Sequence, residues 1–177
     1  MALVAFQPAV VVYREEQNFD WRVYALLASA EVLVWLGLVW WHQNPVPGVG
    51  PEQLGRGEAT VGFLIGLILP AIVVIGLLRM TTEVGPTDIR VWFGWIPTYR
   101  RIVPLGTIQR IEVVSYRPLA DYGGWGIRLG SDGVRVLSAR GNRGVRLDLA
   151  NGTKLLIGSQ QPEDLARALE RAMRPGI

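Results

Sequence analysis

The chain has 177 residues, half of them hydrophobic, a formal charge of +3, no cysteine and one histidine, His42. Without cysteine there are no disulfides, thiolate nucleophiles or cysteine-ligated metal centres, and a lone histidine excludes a multi-histidine metal site and a Ser-His-Asp triad in the C-terminal part; no cofactor or metal is expected. Residues 81–177 carry 14 basic and nine acidic side chains against four and six in residues 1–80, so the basic C-terminal part suits an anionic inner leaflet, while its arginines are too dispersed for nucleic acid to be an expected partner.

Residues 1–20 read as an N-terminal cytoplasmic segment. Two apolar runs follow, residues 23–41 with a single charge and residues 61–78 with none. At 1.5 Å per residue each covers roughly 27–29 Å, close to the hydrocarbon thickness of a bilayer. Two transmembrane helices are therefore expected, at 21–41 and 61–80, joined by an external loop at 42–60. The first run begins too late for a cleavable signal peptide, and no small-residue cleavage site follows it. Trp21, Tyr24, Trp40 and Trp41 mark the interfaces. Arg14 and Arg22 precede the first run and Arg79, Arg90, Arg100 and Arg101 follow the second, whereas the loop holds only Arg56. The positive-inside rule then puts both termini in the cytoplasm of an inner-membrane protein.

Glu31 lies in the middle of the first run, where an unpaired charge costs at least ~2.5 kcal/mol. It is expected to hydrogen-bond a neighbouring helix, of this chain or of a second copy. A transport role is the alternative. Gly62 and Gly66 have the spacing that lets two helices approach closely, and self-association through the helices is one expected partnership.

From about residue 80 the apolar period changes to two. Ile89, Val91 and Phe93 alternate with Arg90 and Trp92, Trp125, Ile127 and Leu129 with Gly126 and Arg128, and Val145, Leu147 and Leu149 with Arg146 and Asp148. Such alternation marks half-buried antiparallel strands. About seven are expected, at 80–84, 87–94, 98–103, 108–116, 124–130, 134–139 and 144–150, with an eighth allowed at 154–159. Ser131-Asp132-Gly133 and Asn151-Gly152 are hairpin turns. A closing helix starts at Pro162, with Glu163 and Asp164 in its first turn and an apolar stripe of Leu165, Ala168, Leu169, Ala172 and Met173. The expected domain, residues 81–177, is thus α+β: an antiparallel β roll or small barrel capped by a C-terminal helix, the pleckstrin-homology-like layout.

Four segments carry a resemblance: Tyr116-Arg117-Pro118-Leu119, Tyr122-Gly123-Gly124-Trp125-Gly126-Ile127-Arg128, Gly141-Asn142-Arg143-Gly144-Val145, and Ile157-Gly158-Ser159-Gln160 with Pro162-Glu163. With them the chain resembles a family of bacterial membrane proteins, without an assigned activity, in which two transmembrane helices are joined to a bacterial pleckstrin-homology-like domain. The resemblance implies a fold and a location, not a reaction. Lipid-binding pleckstrin-homology domains place basic residues in the loop between their first two strands. Here that loop is Val84-Gly85-Pro86-Thr87, which argues against phosphoinositide binding by that route.

Three segments qualify as binding sites. Tyr122, Gly123, Gly124 and Trp125 make either a tight turn with a core tryptophan or a rim for a peptide or lipid headgroup. Arg140, Asn142 and Arg143 make either a solvated hairpin or an anion contact. Trp92, Trp95, Arg100 and Arg101, with Tyr99, make either ordinary cross-strand packing or a patch against lipid headgroups. No paired acids or nucleophile motif are evident, and Lys154 is the only lysine, so an enzyme is not expected. The expected function is protein interaction or scaffolding at the inner membrane face. Anionic lipid sensing through Arg100, Arg101, Arg140 and Arg143 is the alternative, and membrane lipid is a partner either way.

Overall fold

The computed structural model describes residues 11–44, 66, 70 and 76–174. The chain forms two units: residues 21–76, and a β-rich unit in which residues 77 onward are joined by the segment before residue 21. In the first, α1 (Trp21–Gln43) runs for 23 residues. Its stretch Trp21–Trp40 has a mean hydropathy of 1.9 and is, among the described residues, the one helix long and apolar enough to cross a membrane. The expected loop at 42–60 and the second helix at 61–80 lie almost wholly outside the described residues.

The β-rich unit is α+β with two sheets and a C-terminal helix. The first sheet is an antiparallel meander of β1 (Tyr13–Asn18), β2 (Arg79–Val84), β3 (Asp88–Phe93) and β4 (Tyr99–Pro104). The second contains β5 (Ile108–Ser115), β6 (Gly126–Leu129), β7 (Arg135–Ser138), β8 (Arg143–Leu149) and β9 (Lys154–Gly158), in the order β5-β8-β9-β7-β6. A short helix α2 (Pro118–Tyr122) joins β5 to β6, and α3 (Pro162–Met173) closes the unit. Ile89, Val91 and Phe93 of the first sheet, Leu137, Val145, Leu147 and Ile157 of the second, and Leu165 and Leu169 of α3 bury together in one core. The helix touches β2, β5 and β8, so its apolar stripe seals the core against both sheets.

Eight strands stand where the period-two pattern puts them, within two residues at either end. Three features differ. First, residues 1–20 were expected apart from the domain and only about seven strands were counted, yet β1 pairs with β2 over six residues, from Tyr13 opposite Val84 to Asn18 opposite Arg79. Its sequence Tyr-Arg-Glu-Glu-Gln-Asn has no apolar alternation because Glu15 and Gln17 face inward as hydrogen-bonding groups. Gln17, 3% exposed, donates from Nε2 to Gly158 O at 2.9 Å. Glu15 accepts from Ser159 Oγ at 2.6 Å and Gln160 N at 2.7 Å. The strand thereby ties the free edge of the first sheet to the end of β9.

Second, the strands are not all antiparallel, since β7 and β9 run parallel with Val136 opposite Leu156. The turns that close hairpins β6–β7 and β8–β9 are local signals, whereas the pairing of one hairpin with the other is not. Third, Ile127 and Leu129 are not core residues. Strand β6 is the four-residue edge of its sheet, and these side chains stay 43% and 69% exposed.

Candidate functional site

The four segments quoted for the family resemblance meet at one corner of the second sheet. Four successive carbonyls, Arg140 to Arg143 at the end of the β7–β8 loop and the start of β8, accept hydrogen bonds from the other three segments. Arg140 O takes Gln160 Nε2 at 3.3 Å, Gly141 O takes Trp125 Nε1 at 3.0 Å, Asn142 O takes Tyr116 N at 2.8 Å, and Arg143 O takes Ser159 N at 3.0 Å. Two of the expected sites, the Tyr122–Trp125 segment and the Arg140–Arg143 loop, are therefore neighbours. Pro118 suits the first position of α2 and Gly123, at φ +69°, ends that helix, which aims Trp125 back at the loop. Gly158 is indispensable at this corner. A Cβ on it would stand 2.8 Å from Ser138 Cβ and 3.0 Å from the Tyr116 hydroxyl.

Tyr116, Val134, Val136 and Leu156 form a second small core on this side of the sheet, against which Tyr122 packs edge-on to Tyr116 at 5.8 Å. Burial pushes both phenols up. Ser138 lies beside Tyr116 and eases its shift, but neither hydroxyl completes a hydrogen bond of good geometry among the described residues. The corner's backbone is thus committed to structure, with little left for an incoming anion. Arg143 is held by Glu163, whose carboxyl is lowered by its place at the start of α3 and by that guanidinium. Arg140 and Asn142 remain exposed.

The aromatic-basic patch divides. Trp92 and Arg100 are cross-strand partners on the face of the first sheet turned away from the core. Arg101, next along β4, points to the opposite face, with its Nε enclosed and without a hydrogen bond among the described residues. Trp95 stands apart in the β3–β4 turn, 81% exposed, beside Ile96 at 80%. The four arginines invoked for headgroup sensing are consequently spread over both faces of β4, the β7–β8 loop and the start of β8.

Sequence reasoning passed over Ile96, Ile127 and Leu129 as surface features, although Trp95-Ile96-Pro97 is an apolar tripeptide where a turn is ordinarily polar. In α1, Glu31 and Trp35 are half-buried on one face while their neighbours are exposed. Glu31 Oε1 is enclosed and has no hydrogen bond among the described residues. Gly66 lies against the Trp35 indole, where a Cβ would sit 3.1 Å from the ring. Gly62 lies outside the described residues. No group of three acidic or histidine side chains among the described residues is placed to hold a metal ion. No protein-family model matches the chain, and no curated protein matches it at a significant level.

Proposed function

We propose that this chain is a non-enzymatic, membrane-anchored interaction module of the bacterial pleckstrin-homology-like family it resembles, and that it takes up an extended protein segment along β6 at the inner membrane face. The observation that carries the reading is β6 itself. Among the described residues no strand pairs with its outer edge, so alternate N–H and C=O groups are free to continue the ladder. Ile127 and Leu129 offer two exposed apolar contacts at strand spacing, and exposed Arg128 and Arg135 flank them. That combination fits a segment with apolar side chains at alternate positions and acidic residues between.

Support for the two-helix hairpin comes from the β1–β2 pair. Asn18 opposes Arg79, and Phe19 N donates to Leu78 O at 3.3 Å, so both ends of the 21–76 segment leave the same end of one sheet. A segment that leaves and re-enters there crosses the bilayer an even number of times. If α1 spans, the chain returns before residue 77, and the uncharged run at 61–78 is the stretch suited to do so. The pleckstrin-homology-like reading is supported by two packed sheets with a C-terminal helix over their shared core, and it departs from a simple meander in the parallel β7–β9 pair. Basic residues dispersed over both sheets give lipid sensing less support than the edge strand gives protein binding.

A photo-crosslinking residue at Leu129, in the full chain in native membranes, tests the proposal. The expected result is a discrete protein adduct at Leu129 that is absent when the same group replaces Asp132 in the adjoining turn. An adduct of twice the chain's mass would make the partner a second copy. Labelling by lipid alone, or no adduct, would refute the edge-strand reading.

A further inference from the structure

Among the described residues, the turn between β3 and β4 carries the most exposed large apolar pair on the β-rich unit. Trp95 and Ile96 are 81% and 80% exposed, and the turn that presents them is closely held. Thr98 donates to Phe93 O twice, from its backbone N at 3.1 Å and from Oγ1 at 3.2 Å. Gly94 takes φ +87°, and a Cβ there would meet Ile96 O at 2.7 Å, so only glycine serves. Phe93 beneath the turn packs on Phe19 and Tyr99 at 6.0 and 6.2 Å between ring centres. An apolar pair on a fixed support has little conformational freedom left to lose on binding.

Its place in the sheet says what it meets. Gly94 N donates to Arg79 O at 2.7 Å, and Leu77 Cδ2 lies 3.6 Å from the position of a Gly94 Cβ. The turn therefore adjoins the residues at which the chain re-enters the domain from the 21–76 segment, and Phe19, packed on Phe93, is two residues before α1. We infer that Trp95 and Ile96 insert into the interfacial layer of the bilayer leaflet at which the chain enters and leaves the membrane; this rests on the membrane-spanning reading of residues 21–76. A tryptophan favours that layer for its apolar ring and polar N–H. Arg100, exposed and without an ion pair among the described residues, sits two residues past the turn and suits anionic headgroups.

Because the chain has no cysteine, a single Ile96→Cys carries an environment-sensitive fluorophore without further mutation. The full chain is reconstituted in phosphatidylcholine–phosphatidylglycerol vesicles containing a lipid with a nitroxide near the top of its acyl chain. The expected result is a blue-shifted emission and loss of most of its intensity to the nitroxide. The same fluorophore at Thr87→Cys, in the β2–β3 turn about 20 Å away at the other end of the sheet, should show neither. A blue shift without quenching would put Ile96 against protein and overturn the inference, as would a water-like emission. A third label at Val34→Cys, read with a nitroxide deep in the acyl chain, separates the two layers of the argument. Quenching at Val34 without quenching at Ile96 removes the wedge and leaves the spanning helix. No quenching at Val34 removes the spanning reading and the wedge with it.

Discussion

Deleting β1 should cost the domain a third or more of its stability, although β1 is separated from the rest of the fold by the whole 21–76 segment. Two soluble forms compare directly: residues 77–177 alone, and residues 11–20 joined to 77–177 by an Asn-Gly turn in place of 21–76. The second is geometrically permitted because Phe19 already donates to Leu78 O, one step from where a two-residue hairpin turn belongs. Removing β1 removes the Gln17–Gly158 bond and the two bonds from Glu15 to Ser159 and Gln160, about 1 kcal/mol each. It also uncovers the core beside Tyr13 and Phe19, about 1 kcal/mol or more for each. The loss is then about 5 kcal/mol, set against a whole-domain stability of about 5–15 kcal/mol. Urea unfolding followed by the fluorescence of Trp92, Trp95 and Trp125 measures it. The joined form should unfold in one cooperative step, and 77–177 at a much lower midpoint or with no transition. Equal midpoints and slopes would show that β1 is an ornament on a domain complete without it.

Further expectations concern the same joined form. Gly158→Ala should lower its urea midpoint by the equivalent of about 1–3 kcal/mol, the range for forcing a methyl into a filled core, because Ser138 and Tyr116 leave no room; an unchanged midpoint would mean the corner yields. Trp125→Phe should cost about 1 kcal/mol and raise amide exchange across residues 140–143, which its Nε1 anchors through Gly141 O; unchanged exchange would show the anchor is idle. Burial raises the phenols of Tyr13, Tyr116 and Tyr122, Glu15 adding to the effect at Tyr13. The fold favours their neutral form, so this contribution is full below about pH 10, the free tyrosine value, and is lost as pH rises through the folded values. The midpoint should fall above about pH 10, and fall less in Tyr13→Phe; identical alkaline profiles would remove Tyr13 from the account.

The sequence exposed whatever depends on near neighbours. Alternation in Ile89–Phe93 and Val145–Leu149, the Asp-Gly and Asn-Gly turns, and the Pro162 start with its acidic first turn are each written within a few residues, and the matching elements follow. What escaped was long-range. Strand β1 is polar at nearly every position, so its inward residues announce themselves only through partners at 158–160. The parallel β7–β9 pair joins two hairpins each legible by itself. Ile127 and Leu129 have the alternation of core residues, but an edge position leaves the same pattern in solvent. For the sites, the glycine-rich and arginine-rich segments stood out individually, whereas their meeting through the successive carbonyls of residues 140–143 depends on the sheet order.

The split of the domain around residues 21–76 also orders its assembly. The contacts that place β1 span long stretches of chain, 69 residues from Arg14 to Glu83 and 144 from Glu15 to Ser159. Closing loops of that length is entropically costly for a free chain and slows folding. If residues 21–76 form the proposed helical hairpin in the bilayer, residues 20 and 77 come to the same leaflet before β2 is complete, and that long loop becomes a short one. The segment after β9, which follows β1 and β2 in the chain, then sets the lock, because Ser159 and Gln160 supply the donors that Glu15 accepts. On that proposal membrane insertion and domain folding are one process: the β-rich unit is finished only when β1 stands beside β2 and Ser159 and Gln160 have fastened it there.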